Sequence, residues 1–125
     1  MKKNILLLLA SILILSCGAS AIGNYATTTF YVKNNSNQTI NFSSTVVVFP
    51  MSRGPLTRQF SVPPMDSILA RQTNFKKGVA PQKWFLEFNI FPNDYVTMFD
   101  PNKTENWKKG FDTKGRPFHT FLIAE

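Results

Sequence analysis

The single cysteine and the single histidine are the residues with the widest chemical scope in this chain of 125 residues. A Ser-His-Asp or Cys-His hydrolase needs a histidine as its base, but Cys17 lies in an apolar leader and no G-x-S-x-G nucleophile elbow occurs. A zinc site needs several nitrogen or sulfur ligands, and His119 has no second imidazole to join it. We therefore interpret His119 as an ordinary residue of the last predicted strand, and we expect neither a metal site nor a cofactor.

The acidic residues indicate neither a catalytic pair nor a calcium loop. Alternate side chains from Asp100 to Asn106 resemble the start of an EF-hand loop, but Glu105 stands where that loop requires glycine and Phe111 where it requires glutamate. Glu87 alone lies in the middle of a predicted strand, on the face predicted to point outward. Because no two carboxylates are placed for acid and base roles, we expect a protein that is not an enzyme.

Residues 1–16 have the composition of a secretory signal peptide. Lys2 and Lys3 precede an apolar run from Ile5 to Leu15, and small residues follow. This run of about eleven residues is too short for a bilayer core, which needs roughly twenty. The sequence therefore predicts export and no permanent transmembrane helix.

The end of the signal contains two competing processing sites. Ile14-Leu15-Ser16-Cys17 resembles a lipobox, with an aliphatic residue three before the cysteine and a small residue directly before it. The leader and the Asn- and Phe-rich remainder are similar to those of small envelope lipoproteins of Bacteroidetes-type bacteria. That resemblance implies lipidation of Cys17 and an outer-membrane anchor. The neutral stretch after the cysteine favours, by analogy, the periplasmic face over the cell surface. Cleavage after Ala21, at the A-x-A site Ala19-Ser20-Ala21, would instead give a soluble periplasmic or secreted protein.

We accordingly divide the chain into a signal peptide at 1–16, a lipidated cysteine with a short tether at 17–24, and a folded domain at 25–125. The eight residues from Gly18 to Tyr25 reach at most about 28 Å when extended, so a lipid on Cys17 would hold the domain close to the membrane. With one cysteine there can be no internal disulfide, so apolar packing must stabilise the domain.

Residues 25–125 carry the pattern of an all-β fold, a single antiparallel β-sandwich or small barrel of about six to seven strands. We expect strands at 25–33 and 39–49 to form a hairpin across a five-residue polar turn at 34–38. The alternation in 83–91 predicts a central strand with Trp84, Leu86, Phe88 and Ile90 on one face. Shorter strands are predicted at 58–62, 67–72, 95–99 and 118–124, with a helix as the alternative at 67–72.

The basic residues suggest a surface for an acidic partner. The full chain has 14 Lys and Arg against 7 Asp and Glu, and loss of Lys2 and Lys3 with the leader leaves a net charge of about +5. Near an anionic membrane each cation contributes on the order of 1 kcal/mol. We predict a ligand or partner surface for an acidic protein, a glycan or lipid A, formed by Trp107, Lys108, Lys109, Lys76, Lys77 and Arg116. The alternative is that these lysines only keep a Phe-rich protein soluble.

Two further positions carry predictions. Trp107 lies between polar residues, where it would either stack on a sugar ring or pack over the end of the sandwich. Asp66-Ser67-Ile68 resembles the O-glycosylation acceptor of Bacteroidetes-type secreted proteins, with the sugar on Ser67.

The leading interpretation is a membrane-anchored, non-enzymatic envelope lipoprotein that acts as an interaction or structural module. A carbohydrate- or lipid A-binding module, or an inhibitor or immunity-type protein for an envelope or secreted enzyme, are the alternatives. The expected partners are the membrane, through the lipid anchor, and an acidic molecule. Nucleic acid is not expected, because the envelope offers little of it.

Overall fold

A computed structural model describes residues 25–47 and 54–125, which form seven strands in two sheets. The predicted signal peptide, Cys17 and the tether lie outside the described residues. The predicted β-sandwich is confirmed, and the sheets do not close into a barrel. Within the described ranges no helix has the length and apolar character needed to cross a bilayer. The strands are β1 (Tyr25–Asn34), β2 (Ile40–Val47), β3 (Pro55–Val62), β4 (Ser67–Lys76), β5 (Glu87–Ile90), β6 (Trp107–Phe111) and β7 (Pro117–Ala124).

The two sheets differ in size and contain one parallel pair. Sheet A has the strand order β4-β1-β7-β6, and sheet B has the order β3-β2-β5. Neighbouring strands are antiparallel except β1 and β7, which run in the same direction. The first and last strands of the domain are therefore neighbours in the middle of sheet A.

The predicted hairpin between the first two strands is wrong. β1 pairs with β4 and β7, whereas β2 pairs with β3 and β5 in the other sheet. The polar segment after β1 carries the chain from sheet A to sheet B. β1 and β2 therefore lie in different sheets, and their buried faces contribute to one shared core. The Asn34 side chain, fully buried, stabilises this crossing: its amide donates to the carbonyls of Gln38 (2.6 Å) and Val62 (3.1 Å), and its oxygen accepts from Ser36 N–H (2.9 Å).

The predicted strand at 83–91 is wrong in its extent and in its central place, although Trp84, Phe88 and Ile90 pack against the core as expected. Pro81–Trp84 is a 3₁₀ helix, and only Glu87–Ile90 pairs, as an edge strand of sheet B. The helical turn changes the side-chain alternation, so Phe85 is buried and Leu86 is 59% exposed, the reverse of the expectation. Nor do residues 95–99 form a strand; they contribute one isolated bridge, from Met98 to Ala124.

An aromatic cluster fills the space between the sheets. The Phe30 ring meets those of Phe75, Phe85 and Trp107 edge-on, at centroid distances of 5.3, 5.4 and 6.1 Å. On the side of sheet B, Phe42 stacks with Phe60 and Phe88 at 4.9 and 4.8 Å. Such pairs contribute about 0.5–1.5 kcal/mol each beyond the burial of their area, and so stabilise a domain that has no disulfide.

Candidate functional site

Trp107, the aromatic residue of the predicted surface, belongs to the core. Its side chain is 7% exposed, and its ring stacks with those of Phe85 and Phe121 at 5.7 and 5.2 Å. The indole Nε1–H donates to the carbonyl of Pro101 at 2.8 Å, which satisfies its one polar group. The prediction that Trp107 presents a face for stacking on a sugar is therefore wrong. The ring is packed, as the alternative expected, but it lies between the two sheets and not over the end of the sandwich.

The basic residues of the predicted surface fall into two groups. Lys108 pairs in register with Thr120 and lies on the outer face of sheet A, the face turned away from sheet B. Lys76 and Lys77 lie at the end of β4, and Arg116 directly precedes β7. Lys109, between these groups, is exposed at the edge strand β6. The six predicted residues therefore do not form one continuous surface.

The outer face of sheet A carries a groove of about 560 Å³, which we call the outer groove. Strands β1, β7 and β6 form its base because alternate residues of each strand point away from the core. Its volume lies within the range of ordinary ligand sites. Its principal lining residues are Tyr31, Lys33, Ser67, Lys108, Phe118 and Leu122.

Two half-buried aromatic rings form the floor of the outer groove. Tyr31 of β1 and Phe118 of β7 meet edge-on with ring centroids 5.9 Å apart. The Phe118 ring lies over Gly110 of β6, where an added Cβ would come within 3.0 Å of three ring atoms. Gly110 thus permits an aromatic floor that any larger residue would displace.

Lysines border this aromatic floor. Lys33 is paired with Leu122 in the parallel register of β1 and β7, and Lys108 lies across β7 beside Thr120. Lys109 also lines the outer groove, and no carboxylate is found among the described residues that do so. The groove therefore combines an apolar floor with a positive border, which suits a ligand with a flat apolar part and a negative charge.

Ser67, the predicted glycosylation site, lies at the rim of the same groove. It is exposed at the first position of β4, opposite Lys33. Its backbone N–H donates to the side chain of Asp66 at 2.8 Å, which fixes the turn before the strand. Ser67 and Lys108 thus line the same groove, although the sequence analysis assigned them to two separate sites.

His119 lies in β7, as predicted, and faces the core. The imidazole stacks on the Phe30 ring at 5.5 Å and 22°. Burial, and then the positive charge of Lys109, lower the pKa of His119 below its ordinary value. Within the part of the chain that the structure describes, His, Cys, Asp and Glu do not gather in any group of three that could hold a metal ion.

Arg71 of β4 is a cation turned inward between the sheets. Its guanidinium donates to the carbonyl of Val47 at 3.0 Å and to that of Trp84, and it lies 6.0 Å from the centre of the Phe85 ring. Burial lowers the pKa of this group. These contacts give Arg71 a structural role between the sheets.

The residues Tyr31, Lys33 and Phe118 were not predicted to belong to a site. Their spacing on alternate positions of two strands was visible in the sequence, but the parallel pairing of β1 with β7 was not.

No family model, no curated protein and no solved structure matches this chain.

Proposed function

We propose that this protein is a lipid-anchored, non-enzymatic interaction module of a bacterial cell envelope, which binds an acidic partner protein in the outer groove. The observation that carries the proposal is the groove itself, with Lys33 and Lys108 beside two aromatic rings and no carboxylate among its described lining residues. Aromatic rings at the centre of a polar rim are typical of protein interfaces, where a few such residues supply most of the binding free energy.

The chemistry of the groove favours binding over catalysis. Its lining supplies ammonium and hydroxyl groups. A general acid and base would require two titratable groups with different proton affinities, held near the same substrate atom. His119, the one imidazole, points to the other side of sheet A and packs against the Phe30 ring.

The anchor is supported by the lipobox-like leader. Metabolic labelling with palmitate should mark the chain, and Cys17→Ala should abolish the label. Labelling that persists in this variant, or a mature chain beginning at Ile22, would contradict the anchor.

A photo-crosslinking amino acid at Thr120, in the groove, tests the partner. We expect it to capture an acidic envelope protein, whereas the same group at Asn74, exposed on β4 and outside the groove lining, should not. Capture should be lost in the double variant Lys33→Glu/Lys108→Glu, because the positive border is reversed.

A matched charge control uses Lys83→Glu with Lys103→Glu, since both residues are exposed and neither lines the groove. This control has the same net charge as the groove variant and should retain capture. Equal capture by the groove variant and the control would refute the groove as the binding surface.

A carbohydrate- or lipid A-binding module is the second candidate, favoured by the floor formed by Tyr31 and Phe118. Sugar rings stack on aromatic faces, and the phosphates of lipid A would meet the lysine border. Titration of the protein with purified lipid A discriminates the two candidates. Saturable binding that Phe118→Ala abolishes would support this second function.

A further inference from the structure

Four segment ends meet at one end of sheet A. β1 begins there and β4 ends there, because Tyr25 pairs with Lys76. β7 also begins on this side because it runs parallel to β1, and β6 ends opposite its first residue, with Phe111 paired to Pro117. The chain that precedes the described domain therefore enters the fold at this end.

This end is strongly basic, and we call it the basic end. It is formed by Lys76, Lys77, Lys109, Lys114 and Arg116. Arg116 is bonded to Asp112, its Nε–H donating to the carboxylate at 2.8 Å, and this is the one ion pair found within residues 25–47 and 54–125. The hydrogen bond that the backbone N–H of Arg116 donates to the Asp112 carboxylate holds the pKa of Asp112 below its ordinary value. The lysines of the basic end thus keep their charge available for an external anion.

A pocket of about 280 Å³ opens between two of these lysines. Lys77 and Lys109 line it together with apolar residues that include Phe75 and Pro117, and no carboxylate is among its described lining residues. The Phe111 side chain is 64% exposed, and its ring centre lies 5.3 Å from Nζ of Lys109. Two cations with an apolar ring next to them suit the headgroup region of a bilayer, where phosphate groups lie beside apolar chains.

The length of the preceding chain fixes which end can face the membrane. The segment from Gly18 to Tyr25 reaches at most about 28 Å. The ten residues of β1 span about 33 Å at 3.3 Å per residue. Because the tether is shorter than the strand, a lipid on Cys17 cannot turn the opposite end of sheet A toward the bilayer.

We propose that the basic end docks onto the anionic lipid headgroups of the membrane that carries the anchor. A headgroup phosphate lies between Lys77 and Lys109, and Phe111 enters the interfacial layer. The inference rests on the lipid anchor of the proposed function and adds a second contact that orients the domain. The outer groove lies on a face of sheet A and not at its docked end, so it remains open to a partner in the adjoining compartment.

Hydrogen exchange of the mature, lipidated protein in vesicles tests this docking. One set of vesicles contains phosphatidylcholine alone, and the other contains phosphatidylcholine and phosphatidylglycerol in equal amounts. We expect amides at 77–78 and 112–116 to exchange more slowly with phosphatidylglycerol, and high salt to remove the difference. His119, which lines the same pocket, provides a second readout: a phosphate near Lys109 should raise its pKa in nanodiscs of the anionic lipid.

Two matched double variants separate the basic end from general charge. Lys77→Gln/Lys114→Gln should lower the ratio of docked to undocked protein about 25-fold, at about fivefold for each lysine. Lys33→Gln/Lys108→Gln removes the same charge from the outer face and should leave the ratio unchanged. All four lysines are exposed, so the variants are expected to fold.

The outcomes distinguish the docking from the anchor. A mature protein that floats with neither kind of vesicle has no lipid anchor, which overturns the proposed function and the docking together. A protein that floats with both but exchanges equally in both retains its anchor and refutes the docking alone. Equal effects of the two double variants would also refute it.

Discussion

Replacing Asn34 with alanine tests how the chain crosses between the two sheets. The Asn34 side chain is fully buried and joins the end of β1 to the crossing segment and to the end of β3. Its amide is the donor in these bonds and its oxygen is the acceptor for Ser36. Alanine removes every one of these contacts but leaves the strand backbone in place.

The magnitude follows from the groups that the substitution leaves without a partner. The Ser36 hydroxyl can still donate to the Gln38 carbonyl, which lies 3.1 Å away. Ser36 N–H and the Val62 carbonyl lose their contacts with the Asn34 side chain. The Val62 carbonyl remains in the ladder opposite Ile40, so Ser36 N–H is the group left without a partner. A buried polar group without a partner costs about 1–3 kcal/mol, so Asn34→Ala should lower the free energy of unfolding by about 1–3 kcal/mol.

Equilibrium urea unfolding, followed by the fluorescence of the two tryptophans, measures this change. For a domain of this size the loss corresponds to a fall in Tm of at least about 4 °C. Asn35→Ala, one position further on, is the control: its backbone bond to Ala124 remains, and the free energy should stay within about 0.5 kcal/mol. Asn34→Asp should also destabilise, since it buries a carboxylate against carbonyl oxygens. A loss below about 1 kcal/mol in Asn34→Ala would refute this account of the crossing.

Two further predictions concern His119 and Gly110. Because burial and Lys109 lower the pKa of His119 when folded, the unfolded chain binds the proton first as pH falls. The free energy of unfolding should therefore decrease as pH falls below the ordinary value of 6.5, and His119→Phe should remove this dependence between about pH 7.5 and about pH 5.5 in urea titrations. Gly110→Ala should displace the Phe118 ring and weaken its nuclear Overhauser contacts with Tyr31. In a Phe118→Ala background, Gly110→Ala should leave the free energy of unfolding unchanged. An equal loss of that free energy in both backgrounds would contradict the proposed contact.

The fold class could be predicted because it depends on local patterns. β1 matches its predicted range closely, since a run of β-branched and aromatic residues needs no distant information to favour an extended chain. The strand at 118–124 was located for the same reason and differs by one residue at its start. Pairing was not predictable in this way: the polar turn after β1 is compatible with a hairpin or with a crossing between sheets, and the choice depends on the burial of Asn34.

The candidate site was predicted only in part. Lys108, Lys109 and Ser67 were identified from charge and a short motif, and all three line the outer groove. Trp107 was placed in a polar loop because its sequence neighbours are polar, yet it begins β6 and pairs with Phe121 in the core. Sequence neighbours report the environment of a residue poorly when a short strand begins at that residue.

The sequence by itself determined that this chain has an apolar leader, a β-rich domain and an excess of positive charge, because composition and alternation are local properties. The tertiary structure alone decided where that charge lies. The parallel pairing of β1 with β7 builds the outer groove. Because the two strands begin at the same end of sheet A, lysines gather at the end where the chain enters. Both arrangements depend on contacts between residues almost ninety positions apart, such as Thr29 with Phe118, and no local pattern in the chain specifies them.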